Sequence, residues 1–182
     1  MEMTGEQIIP ATQAEVWRGL NDPDVLKACI SGCESMERLS DTEYTVVTTT
    51  AIGPVKARFR GKLLLADLDP PNSYSLSFDG QGGAAGFGKG TARVWLAAEG
   101  AGTRLSYAVK AQVGGKLAQI GSRLIDGVAK KMADDFFSAF KQKMAGPVPA
   151  AAEPSPEAAP GAAPLWWVVA IILAMFLLAY TT

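Results

Sequence analysis

Apolar and polar positions alternate along most of residues 43–112, and a two-residue period is that of half-buried strands. VKARFRGKLLLAD puts Val55, Ala57, Phe59, Gly61, Leu63 and Leu65 on one face, with Lys56, Arg58, Arg60 and Lys62 on the other. SYSLSFDG alternates Tyr74, Leu76 and Phe78 with serines. TARVWLAAE separates Ala92, Val94, Leu96 and Ala98 from Thr91, Arg93, Trp95 and Ala97. TRLSYAVKAQV sets Leu105, Tyr107, Val109 and Ala111 against Arg104, Ser106, Lys110 and Gln112, and GAG at 100–102 joins these last two runs as a hairpin turn. EYTVVTTTAI, rich in β-branched residues, pairs with the first run across Gly53 and Pro54, and EQII near the start makes a further short strand. Pro10 followed by ATQAEVWRGLND, then DPDVLKAC, predicts two short helices, the second capped by Asn21 or Asp22.

The period changes after residue 115. Leu117, Ile120, Leu124, Val128, Met132, Phe136 and Phe140 recur with charges between them, which predicts one amphipathic helix over 116–144. At 1.5 Å per residue it is about 43 Å long and must lie across the width of a sheet. Gly121 and Gly127 inside it each cost about 1 kcal/mol of helix propensity. A strand, two small helices, six or so antiparallel strands and a long helix make an α+β domain.

The glycines of GAAGFGKGT, 83–91, nearly make a phosphate-cradling loop. Gly83 to Lys89 fit its spacing, but Gly90 stands where the magnesium-ligating hydroxyl belongs, and the next residues have the period of a strand where that loop must open a helix. The predicted role is a hairpin loop or a bulged, tightly bending strand.

The C-terminus has another character. Leu165 to Tyr180 is an uncharged apolar run with Trp166 and Trp167 at one end and Tyr180 at the other, the arrangement of a membrane-spanning helix with interfacial aromatics. Its span is about 24 Å, short of a ~30 Å hydrocarbon core by an amount that local thinning or flanking residues absorb. GPVPAAAEPSPEAAPGAAP, 146–164, holds six of the 11 prolines and reads as a flexible linker reaching roughly 60 Å. The expected organisation is a domain over 1–145, a linker over 146–164 and a C-terminal transmembrane anchor over 165–182.

Composition narrows the chemistry. With 17 basic against 18 acidic residues there is no basic footprint for nucleic acid. Histidine is absent, which removes imidazole-based nucleophilic catalysis and histidine zinc sites. No metal site is expected. Cys29 and Cys33 are spaced C-x3-C, neither a redox pair nor half of a thiolate zinc site, and read as free thiols. Without an N-terminal apolar signal, the domain is expected on the cytoplasmic face of the cytoplasmic membrane. The stripe Lys56, Arg58, Arg60 and Lys62 has two readings: the solvated face of a sheet, or a contact for anionic lipid or an acidic partner.

The element order resembles the helix-grip fold of the START and Bet v 1-like superfamily, in which a curved sheet wraps a long helix around a cavity. More narrowly, IPATQAEVWRGLNDPDVLKACISGCE at 9–34, AIGPVKARFRGKL at 51–63, GKGTA at 88–92 and TRLSYAVKAQVGGKLAQIGSRLI at 103–125 resemble the G-subunit family of carbon monoxide dehydrogenase. Ser31 stands where members commonly have proline. The resemblance implies a non-catalytic accessory protein that brings a molybdenum hydroxylase-type carbon monoxide dehydrogenase to the membrane and carries a quinone, menaquinone or ubiquinone, that accepts its electrons. It also implies a cavity, for which the candidate lining residues are Phe59, Leu63, Tyr74, Leu76, Phe78, Trp95, Tyr107, Ile120, Leu124 and Val128; each of these also fits plain core packing. Two other classes stay open. A pure tether would have a filled core. A START-like cyclase or hydrolase would need a positioned acid or base, for which Asp67, Glu99 and Lys89 are the candidates.

Overall fold

Each period-two run becomes a strand, and the turns between runs become hairpins of one sheet. The computed structural model describes residues 1–146. Strand β1 (Glu2–Ile9) is followed by helices α1 (Gln13–Leu20) and α2 (Pro23–Cys29), then by β2 (Cys33–Arg38), β3 (Glu43–Ile52), β4 (Val55–Asp69), β5 (Ser73–Gln81), β6 (Phe87–Glu99) and β7 (Gly102–Gly114). A short helix α3 (Lys116–Gln119) precedes α4 (Ser122–Met144). The seven strands form one antiparallel sheet in the order β1-β7-β6-β5-β4-β3-β2, so the two small helices carry the chain from one edge to the other. β1 is longer than EQII alone and pairs with β7 over its whole length.

Local chemistry sets the helix ends. Thr12 and Glu15 form a reciprocal capping box on α1, with the Thr12 amide donating to the Glu15 carboxylate at 2.9 Å. Asp22 caps α2, accepting from the Asp24 amide at 2.8 Å, with Pro23 at the first helical position. The glycine-rich stretch is the β5–β6 hairpin: Gly83–Ala85 makes one 3-10 turn and Phe87 opens β6. The helix expected over 116–144 is interrupted. Gly121, at φ +99°, leaves the helical region and the chain changes direction between α3 and α4, while Gly127 stays inside α4.

The core occupies one end of the sheet. Ile9, Val16, Leu20, Val94, Leu96, Leu105, Phe137 and Phe140 pack together there, with Ile9, Val16 and Phe140 fully buried. Phe136 stacks on Phe140 and stands edge-on to Phe137, which stacks on Tyr107. Thr103, the one buried polar residue among those described, donates its hydroxyl to the Ala11 carbonyl at 2.8 Å. Among the described residues no helix is long and apolar enough to cross a membrane; the anchor read at Leu165, Trp166, Trp167 and Tyr180, and nearly all of the linker, lie outside them.

Candidate functional site

Strand register decides what lies under α4. Val46, Gly61, Gly80, Gly88 and Val113 stand opposite one another across β3 to β7, so three adjacent central strands contribute no side chain to this inward row. Successive rows toward the other end are progressively larger. Leu63, Phe78, Gly90 and Ala111 form the next, then Leu65, Leu76, Ala92 and Val109, then Tyr74, Val94 and Tyr107. The sheet is thus lined by glycine at one end and by aromatic and branched side chains at the other.

Over the glycine end lies an outer chamber of about 400 Å³, roofed by Ile125, Val128, Ala129 and Met132 of α4. An inner chamber of about 250 Å³ lies deeper, among Met36, Tyr44, Leu76, Tyr74, Phe136 and Phe137. Met3, Leu63 and Val109 border both, so the two are neighbouring parts of one apolar interior. No residue lining the inner chamber carries a charged side chain. A space of this size with aromatic walls and few polar groups suits an elongated lipophile.

Of the sequence candidates, Phe59, Leu63, Phe78 and Val128 line the outer chamber, and Leu63, Tyr74, Leu76 and Tyr107 the inner one. Three lie elsewhere. Trp95 is 40 % exposed on the opposite face of β6, where the Arg93 guanidinium lies 5.6 Å from its ring centroid. It belongs to the outward set of its own alternation, and a large side chain there covers the sheet's back. Ile120 and Leu124 lie by Gly53 of the β3–β4 turn and not along the chamber walls, with Leu124 44 % exposed. A strict four-residue spacing advances about 40° past each full turn, so the stripe drifts: Leu124 falls outside the chamber, while Met132 lines it though 41 % exposed. The true inward face alternates threes and fours through Ile125, Val128, Ala129, Ala133, Phe136, Phe137 and Phe140.

The remaining candidates lie outside the chambers. Asp67 sits at a β4 bulge with φ +49° and is exposed, and Glu99 is ion-paired to Arg104 at the β6–β7 hairpin. Lys89 points outward with its ammonium 5.9 Å from the Phe87 ring centroid. These three candidate acid/base groups do not converge. Along the basic stripe, Arg58 pairs with Glu34 at 2.6 Å and Lys62 with Glu43 at 3.5 Å. Lys56 and Arg60 have no ion pair among the described residues, so the stripe's charge is half compensated. Glu34 also accepts from the Thr49 hydroxyl at 2.6 Å, and these two donors hold its carboxyl below the ordinary value. Ser31 is exposed in the α2–β2 turn, next to Ile30, which lines the inner chamber. Cys29 is buried and Cys33 half-buried; both are free, and burial pushes both thiols up.

Known proteins of similar structure share the sheet and helix. A conserved protein from Geobacillus kaustophilus is 34 % identical, with a TM-score of 0.75 over 80 % of this chain and 95 % of that one. A Thermus thermophilus protein is 18 % identical, with a TM-score of 0.59 over 79 % of this chain and 97 % of that one. Ara h 8.0201 is 14 % identical, with a TM-score of 0.59 over 79 % of this chain and 97 % of that one, a likeness of fold alone. Comparison with curated protein sequences finds no match. The family model described as the G subunit of carbon monoxide dehydrogenase (CoxG) matches residues 5–145, nearly the whole described domain with its glycine row, its roofing helix and the chambers between them. The chain belongs to the CoxG family.

Proposed function

We propose that this protein is a membrane-anchored, non-catalytic accessory subunit that holds a lipophilic molecule in its interior and presents it to a partner dehydrogenase. The observation that supports this most is the pair of neighbouring apolar chambers, the inner one without a charged lining side chain. The partner in this reading is a molybdenum hydroxylase-type carbon monoxide dehydrogenase, which the family's description as that enzyme's G subunit supports. A respiratory quinone, menaquinone or ubiquinone, fits such an interior, because its flat ring and isoprenoid tail are apolar and its only polar atoms are neutral oxygens. The apolar run from Leu165 to Tyr180 supports anchoring in the cytoplasmic membrane, with the domain on the cytoplasmic side. Anchoring keeps the interior at high local concentration relative to lipid-dissolved cargo.

The test is extraction. The full chain, purified from its membrane in mild detergent, is extracted with organic solvent and the lipophiles identified by mass spectrometry. A quinone at a stoichiometry approaching one per chain, and absent from an unrelated anchored protein purified alongside, supports carriage. Recovery of no lipophile above that control leaves a tether and removes the carrier.

A further inference from the structure

Three tyrosines border the inner chamber, and their hydroxyls differ. Tyr44 donates to the Asn21 carbonyl at 3.0 Å. The Tyr107 hydroxyl lies over Gly5 at the sheet edge, where Lys130 and Asp134 of α4 also approach. Tyr74 is 4 % exposed, its ring held edge-on to Trp17 with centroids 5.6 Å apart. Its hydroxyl has no hydrogen-bond partner among the described residues. Yet none of their fully enclosed side-chain oxygens lacks one. Both statements hold together only if the Tyr74 oxygen faces open space, and the space its side chain borders is the inner chamber.

A phenol there has no protein group to bond, whereas a phenylalanine of the same shape would fill the position with no polar group to satisfy. The geometry points to Tyr74 as the polar anchor of the bound molecule, its hydroxyl donating a hydrogen bond to an uncharged acceptor oxygen such as a ring carbonyl. The inference rests on the carrier reading and narrows its ligand class to neutral, carbonyl-bearing lipophiles. Burial raises the phenol well above its ordinary value, so it remains a donor at every physiological pH. A carboxylate does not fit, because no cationic side chain lines the inner chamber to compensate its charge. The anchored head group lies against Leu76, Phe136 and Phe137, and an apolar tail passes Met3, Leu63 and Val109 into the outer chamber.

The experiment compares three probes of similar ring shape on the full chain stripped of lipid in detergent: 2-methyl-1,4-naphthoquinone, 2-methylnaphthalene and 2-naphthoate. Wild type is expected to bind the quinone about three- to tenfold more tightly than the hydrocarbon, the worth of one neutral hydrogen bond, and to bind naphthoate most weakly. Tyr74→Phe is expected to abolish the preference for the quinone while leaving hydrocarbon affinity unchanged. It is also expected to leave the melting temperature of the ligand-free chain equal or higher, since the lost hydroxyl had no partner. Unchanged quinone preference in Tyr74→Phe, tighter binding of naphthoate, or a lower melting temperature overturns the anchor while the carrier stands. Failure of wild type to bind any of the probes overturns the carrier reading and the anchor with it.

Discussion

The glycine row makes a prediction whose sign is opposite to ordinary experience with buried positions. A Cβ built at Gly88 finds its nearest neighbour, Val113 Cγ1, at 3.9 Å, and one at Gly80 finds the Gly88 carbonyl oxygen at 3.6 Å, both ordinary contact distances. Neither residue has a left-handed φ, so a β-branched side chain fits the strand. Gly88→Val places three carbons in the outer chamber. At about 0.8 kcal/mol for each carbon fully buried, the gain is at most about 2.4 kcal/mol. Removing the glycine's conformational freedom adds about 0.5–1 kcal/mol. With the chamber only partly filled, a net stabilisation of about 1–3 kcal/mol is expected, a rise in melting temperature of roughly 3–10 °C. The same carbons take space from cargo, and overpacking against a bound molecule costs about 1–3 kcal/mol, so affinity for a neutral fluorescent lipophile such as N-phenyl-1-naphthylamine falls about five- to hundredfold. Gly90→Ala, two residues along the same face, is the control. Its Cβ falls on the Lys110 carbonyl oxygen and 2.8 Å from Phe78 Cζ, so it destabilises. Differential scanning fluorimetry and probe titration on all three proteins decide the matter. If Gly88→Val lowers the melting temperature, or raises it without weakening the probe, the row is not the floor of a binding cavity and the reasoning fails.

Other expectations concern the fold that holds the cavity. Phe140→Ala removes a fully buried ring from the packed end and is expected to cost about 3–5 kcal/mol in urea unfolding; a loss below about 1 kcal/mol would place the core elsewhere. Gly127→Ala, exposed in α4 with nothing within 4 Å of its Cβ, is expected to stabilise by about 0.5–1 kcal/mol with no change in probe binding. For pH, Glu34, Glu15 and Glu99 are lowered from 4.5 by donors at Thr49 and Arg58, Thr12, and Arg104. Their stabilisation is full above the unfolded value and lost as pH falls through the lowered folded values, so the melting temperature declines below about pH 4.5. Burial raises Cys29 and Cys33 above 9.0, so the unfolded chain loses those protons first and stability declines again above about pH 9. With no histidine the profile is flat between about pH 5.5 and 8, and a melting transition that moves by several degrees in that window contradicts these assignments.

Period-two alternation made the strands and their inward faces legible, because one face of an antiparallel sheet must be apolar and the other need not be. That is why Phe59, Leu63, Tyr74, Leu76, Phe78 and Tyr107 could be picked from the chain and why they line one interior. Trp95 shows where size misleads: its position in the alternation already put it on the outer face. The glycine row was not legible, since Gly61, Gly80 and Gly88 lie on three different strands and align only through register, which irregularities such as the shift between Ala66 and Asp69 help to set. Nor was the break at Gly121, because a periodic apolar pattern continues across it and only the backbone reveals the turn. The capping box of Thr12 and Glu15 does carry a sequence signal, a hydroxyl and a carboxylate three residues apart at the start of an apolar run.

The two ends of the domain divide its physical tasks, and α4 spans both. From Ala133 to Phe140 the helix is clamped: Phe137 and Phe140 enter the core, and Lys141 donates to Gln7 of β1 at 2.7 Å. From Ile125 to Met132 it roofs a space whose floor includes the glycine row Gly61, Gly80 and Gly88. Well-packed aromatics anchor the helix's second half, and the buried Ile125 of α4 and Leu117 of α3 fix its other end, so the helix is held over the sheet from both sides of the space. The void can then persist without collapse, because closing it would require α4 to bend or the Phe137 and Phe140 packing to shift. Holding it open withholds apolar contacts the domain could otherwise make, and cargo restores them. Ligand and stability are therefore linked through the same roof. A lipophile at about a hundred times its Kd is expected to stabilise the chain by about 2.7 kcal/mol, and the Gly88→Val chain, already partly filled, gains less.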